Sequence, residues 1–183
     1  MALHDVMQLG RPGDGDRYRF DYKGMHRYLI TQTTRKAAAF VSGHENVVGI
    51  LSALREACRR HDFEVYAYCF LPDQLVMLVR GKTDSADMKE FLAAFRTSTS
   101  SFLKTQSGQD LWRKKYTERV LRKGEDSREV AARIFQLPVQ GGLSATPEAY
   151  PLQGSFVFDM KNLWNKRHSS SGYPRRSPRP RFR

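Results

Sequence analysis

The chain has 183 residues, 40% of them hydrophobic, which suits one domain with a core of its own and tails. Lys and Arg number 31 against 19 Asp and Glu, a net charge of +12, so a polyanionic partner is expected. Nucleic acid comes ahead of membrane because no basic amphipathic helix with a bulky apolar face stands out.

No apolar stretch approaches spanning length, and the opening residues lack the apolar core of a signal peptide. A cytoplasmic, nucleoid-associated location is expected. Cys58 and Cys69 are too few for a zinc site or a disulfide framework and read as buried free thiols. Residues 1–16 form a flexible lead-in broken by Arg11-Pro12-Gly13-Asp14-Gly15. Residues 26–34, HRYLITQTT, predict a first strand; His26 is either a phosphate contact or a surface histidine without a role. Val47, Ile50, Leu51, Leu54 and Cys58 recur at helical spacing over 45–61, with Arg55, Arg59 and Arg60 on the polar flank.

Two β-prone runs, 63–70 and 75–80, flank a Pro72-Asp73 turn and predict a hairpin of central strands. On its second arm Leu75, Met77 and Val79 share one face; Gln74, Val76 and Leu78 share the other. A second helix is expected over 84–104, with Met88, Phe91, Leu92, Phe95 and Phe102 on its apolar side and Ser85 as cap. Its Arg96, Thr97, Ser98, Ser100 and Ser101 suit a phosphate neighbour or plain solvated surface. In 111–122, LWRKKYTERVLR, the basic residues Arg113, Lys114, Lys115 and Arg119 interleave with Trp112 and Tyr116. Such interleaving suits single-stranded nucleic acid, and the same rings fit a core equally well. Asp126, with Glu129 three residues on, opens a third helix that runs to about Gln136 and stops near Pro138. Beyond Asp159 no acidic residue remains. Lys161, Lys166, Arg167, Arg175, Arg176, Arg179, Arg181 and Arg183 stand there among Ser, Pro and Gly. Residues 159–183 therefore read as a disordered basic tail, either an arm for phosphates or an aid to solubility. The folded domain is expected over 17–158.

The hairpin over 66–80, YAYCFLPDQLVMLVR, resembles the active-site hairpin of the single-tyrosine HUH transposases, the REP-associated group included. That family's pattern is approximately aY-v-MPNHvHlLv, and Ala67-Tyr68, Leu71-Pro72 and Leu78-Val79 fall in its frame. The first strand resembles the family's yHVTqR through Tyr28, Ile30, Thr31 and Gln32, with Leu29 in place of its histidine. Residues 111–122 resemble lWq-ryyd-vi through Trp112, Tyr116 and Val120. Residues 134–155 resemble YI-xNPvraGlv-xp-dYpwSS through Ile134, Pro138, Val139, Gly142, Leu143, Pro147, Tyr150, Pro151 and Ser155. The likeness spans about 17–155. It implies a fold of the α+β class, a ferredoxin-like sandwich whose antiparallel-dominated sheet carries helices packed on one face. The order strand-helix-strand-strand-helix-strand-helix agrees independently.

In that family a tyrosine on the last helix attacks a DNA phosphate and is joined to it. A divalent Mg or Mn, held by the histidine pair and a further polar side chain, polarises the phosphate. Carried over, the histidines fall on Gln74 and Val76, the tyrosine on Arg133 and a further polar position on Leu137; Asp73 stands for the hairpin asparagine. Valine and leucine cannot bind a hard cation, a lone glutamine makes a poor site, and arginine is no nucleophile. The resemblance therefore implies a repurposed or decaying transposase with no catalytic residues and no metal, binding single-stranded or hairpin DNA without cleaving it. Its expected nucleic-acid contacts are Arg113, Lys114, Lys115, Tyr116, Arg119, Arg133, Arg175 and Arg176. Arg133 either grips a phosphate by two hydrogen bonds or faces solvent. One alternative is an active metal-dependent transposase that uses Tyr66, Tyr68, Tyr116 or Tyr150 as nucleophile and His26 or His61 as ligand. Another is an RNA-binding or protein-interaction module on the same fold. Monomer and homodimer both stay open.

Overall fold

A run of Val, Leu and Met that is apolar at nearly every position belongs in the middle of a sheet covered on both sides. In the computed structural model, which describes residues 20–35, 44–107 and 110–160, such a run is β3 (Gln74–Gly81). It lies between β1 (Arg27–Thr34) and β2 (Phe63–Leu71), antiparallel to both. β4 (Trp112–Val120) pairs outside β1, and the short β5 (Gln153–Gly154) pairs outside β2, giving the order β4-β1-β3-β2-β5. The lead-in over 1–16 and the tail from residue 161 onward lie outside the described residues.

Leu75, Met77 and Val79 point into one core and Val76 and Leu78 into another, the alternation read from the sequence. The first core is closed by α1 (His44–Arg60) and α2 (Met88–Ser107). They bury Val47, Ile50 and Leu54, and Met88, Phe91 and Phe95, against Tyr28 and Ile30 of β1. The second core is closed by α3 (Ser127–Gln140), whose Val130, Ala131, Ile134 and Leu137 meet Ala67, Cys69 and Leu71 of β2. The fold is the expected ferredoxin-like sandwich, with α1 and α2 on one face; α3 adds a third layer on the other.

Strict alternation along β2 would put Val65, Ala67 and Cys69 on one face. A bulge intervenes: Val65 faces Val79 and Ala67 faces Leu78, so Tyr66 is the extra residue. One extra residue inverts the side-chain phase. Val65 and Phe70 thereby reach the α1–α2 core while Cys69 and Leu71 reach α3.

The boundaries of α2 and α3 differ from expectation. α2 begins at Met88, because Gly24 N donates to Ala86 O at 2.9 Å and Met88 N to Tyr22 O at 3.1 Å. That pairing holds the chain extended just ahead of the helix. Asp87 is the cap instead of Ser85; its Oδ1 accepts from Lys89 N at 2.8 Å and Glu90 N at 3.1 Å. The same docking explains Gly81, where any Cβ would run into the carbonyl oxygen of Gly24. α3 does not stop near Pro138 but runs to Gln140. A proline in the last turn forfeits only its own amide bond. Beyond it Gly141 N donates to Leu137 O and Leu143 N to Pro138 O, at 2.9 and 2.8 Å, with Gly142 at φ +68° making the reversal.

Candidate nucleic-acid interface

Gln74 and Val76 lie on the sheet face that α3 covers, so hairpin and last helix do converge. Val76 is 7% exposed and Leu137 4%, and both belong to one apolar cluster with Ala67, Cys69, Leu78, Ile134 and Phe135. Gln74 is half-buried at the start of β3, opposite Thr33. Arg133, one turn before Leu137, is exposed; its Nε donates to Glu129 O at 3.4 Å and its Nη2 lies 4.0 Å from Glu129 Oε2. One amide, two hydrocarbon side chains and a guanidinium do not fit a divalent cation, which needs several oxygen or imidazole donors. Among the described residues no three His, Cys, Asp or Glu side chains gather as an alternative ligand set.

Tyr68 and Tyr116 pack against the α1–α2 core, across the sheet from Gln74, Val76 and α3. Tyr66 lies on the α3 side, stacked on Phe158 at 5.1 Å, and its hydroxyl accepts from Arg80 Nη1 at 3.1 Å. Tyr150 donates to Phe70 O at 2.6 Å, tying the C-terminal segment to the sheet, and burial pushes its phenol up to about 12. Burial, as the largest cause, also raises Tyr66, Tyr68 and Tyr116. A phenol held above its ordinary value is a weaker source of phenolate. His26 joins the aromatic group of Phe20 and Tyr28, whose core contacts are on the α1–α2 side, with its ring 5.0 Å from that of Phe20. His61 sits just past α1, half-buried, its amide donating to Ala57 O.

The basic side chains fall into two groups. Arg27, Arg80 and Arg119 are engaged inside the fold. Arg27 Nη1 donates to Glu125 O at 2.6 Å and Ser127 Oγ at 2.9 Å, anchoring the loop before α3. Arg119 Nη1 lies 2.8 and 2.7 Å from the two carboxylate oxygens of Glu125, so this expected nucleic-acid contact already has an internal partner. The second group is open. Arg113, Lys114 and Lys115 are exposed on β4 and take part in no ion pair among the described residues; Arg113 uses only its Nε, towards Thr34 O at 3.1 Å. Tyr116 is half-buried with the Arg96 guanidinium 5.7 Å over its ring. Trp112, 3% exposed and donating from Nε1 to Thr99 Oγ1 at 2.7 Å, is core. Arg175 and Arg176 lie outside the described residues.

No known protein-family model matches the chain, and no curated protein matches it. Among solved structures it is similar to a REP-associated tyrosine transposase bound to a REP hairpin. The TM-score is 0.62 at 17% identity, over 76% of this chain and 82% of that one. The chain has a transposase-like fold. It is also similar, at a TM-score of 0.45 and 18% identity over 73% of this chain and 98% of the other, to a candidate transposase from Deinococcus radiodurans R1. On this transposase-like scaffold the sequence located hairpin, helix and basic strand correctly. Sequence reasoning missed Glu125 and Arg27 as the pair that fixes the β4–α3 loop. The available signal was an arginine inside a strand, which needs a partner wherever the sheet is covered.

Proposed function

We propose that this domain binds nucleic acid, DNA presented as a single strand or hairpin, and does not cleave it. The observation that carries the reading is the packing of Val76 and Leu137 into one apolar cluster between sheet and helix. Strand cleavage needs charge neutralisation and an aligned nucleophile at that junction. Buried hydrocarbon supplies neither, and reintroducing a metal there would mean desolvating the ion without compensating donors. The binding half of the reading is supported by the net charge of +12 and by the open cations of β4. It is supported too by the hairpin held by the transposase of like fold. Arg133 then serves as a cation on α3, able to exchange its long contact with Glu129 for a phosphate.

The test is a fluorescence titration of the full chain against a DNA hairpin, an unstructured DNA strand and the matching RNA hairpin, with manganese calorimetry in parallel. The reading expects saturable binding, a preference for DNA, and no stoichiometric metal uptake. Equal or tighter binding of RNA favours an RNA-binding module. A tight one-to-one metal site abolished by Gln74→Ala overturns the non-cleaving half.

A further inference from the structure

We propose that residues 113–115 form a preset grip for nucleic-acid phosphates on the edge of the sheet, and that Arg96 on α2 is its positioning residue. This rests on the nucleic-acid reading above and specifies where and how the backbone is held.

In a regular edge strand alternate side chains turn into the core, so three consecutive exposed cations do not arise. β4 escapes that rule through an irregularity in its pairing. Gln32 faces Tyr116 and Thr34 faces Trp112, so Thr33 alone stands opposite Arg113, Lys114 and Lys115. The carbonyls that lose ladder partners there are taken up from α2. Arg96 Nη2 donates to Arg113 O at 2.7 Å and Nη1 to Lys114 O at 3.1 Å, the two prongs of one planar guanidinium on successive peptides. The buried Gln32 adds a bond from its Nε2 to Arg113 O at 3.4 Å. Arg96 thus substitutes for the missing stretch of ladder and fixes the backbone from which all three cations project. Its own charge is turned to the protein; those of Lys114 and Lys115 are not.

Three adjacent like charges with no acidic partner among the described residues repel one another. Among the described residues Lys114 and Lys115 make no side-chain hydrogen bond or ion pair and Arg113 only the one from Nε to Thr34 O, and a polyanion relieves the repulsion. Side chains of this kind hold phosphates without reading bases, so the grip is indifferent to sequence. Hairpin and unstructured strand both offer the phosphates it needs.

The experiment is a set of titrations of the full chain at several salt concentrations against a hairpin and an unstructured DNA strand. Removing all three cations (Arg113→Ala, Lys114→Ala, Lys115→Ala) should flatten the log-log salt slope by about 2, at about 0.7 for each phosphate no longer neutralised. Lys114→Gln and Lys115→Gln singly, at exposed positions that do not endanger folding, should each flatten it by about 0.7. Arg96→Lys keeps the charge but loses the fork; it should weaken both DNAs alike and flatten the slope, with the protein still folded by circular dichroism. Lys89→Ala removes a charge elsewhere on α2 and should leave the slope unchanged. Wild-type binding with unaltered slopes in the lysine variants refutes the grip and leaves the nucleic-acid reading standing. A wild-type slope for Arg96→Lys beside flattened lysine variants refutes the positioning role. No binding by the wild type fails both.

Discussion

Arg119 sits in sequence among basic and aromatic residues, yet its guanidinium is closed against Glu125, both side chains about one-quarter exposed or less. Sequence reveals such a residue's type but not its partner, because Glu125 lies beyond the strand, in the loop that Arg27 anchors. The Arg119 hydrogen bond is the main reason the Glu125 carboxyl is held below its ordinary value, and the Arg122 amide adds to it at 2.7 Å. A carboxyl with a depressed folded-state value holds its proton less firmly than in the unfolded chain. Its stabilisation is therefore complete above the ordinary carboxylate range and is lost as pH falls through the depressed value. Glu125→Gln should destabilise the fold by about 1.5–3 kcal/mol near neutrality, the range for a hydrogen bond to a charged group. It should also remove that part of the acid-side loss. Urea denaturation of both proteins at stepwise lower pH checks this; parallel curves would mean that the pair adds nothing.

At the level of elements, the strands and helices were legible because β-prone runs and helical spacing rarely mimic each other over eight or more residues. What stayed hidden was local phase. Nothing in YAYCFL marks Tyr66 as the bulged residue, and nothing in WRKKY marks the stretch that Thr33 faces alone. Bulges are settled by which phase fills both cores, a tertiary question. The start of α2 is hidden in the sequence for a similar reason, since the segment that pairs with residues 86–88 comes from some sixty residues earlier in the chain. The role of Trp112, open between base platform and core, is decided by α2. Thr99, itself fully buried, accepts from the indole and donates to Phe95 O at 2.8 Å. Thr99→Val keeps the shape and removes that acceptor. It should lower stability by about 1 kcal/mol without altering DNA affinity below the melting transition. Denaturation followed by tryptophan fluorescence measures the first, titration the second; a change in affinity alone would return Trp112 to the binding surface.

For the whole molecule, the question is how binding divides between domain and arm. The described residues end at Met160, which packs half-buried against the α3-side core, and the basic segment lies outside them. Deleting residues 166–183 should weaken all nucleic acids alike and flatten the salt slope by about 0.7 for every phosphate the arm had neutralised, while hairpin preference survives. Arg133→Glu, outside the grip of residues 113–115, should abolish that preference; Arg119 is unsuitable for charge reversal because it would face Glu125. If the tail deletion alone erases the preference, recognition belongs to the arm.

The central claim is that this transposase-like fold holds DNA without joining to it. The most direct measurement is to incubate the protein with a hairpin-bearing single strand and manganese or magnesium, then compare a native gel with a denaturing one. The account predicts a shifted band in the first and no SDS-resistant adduct in the second. An adduct formed by the unaltered protein and mapped to any of its tyrosines would contradict it.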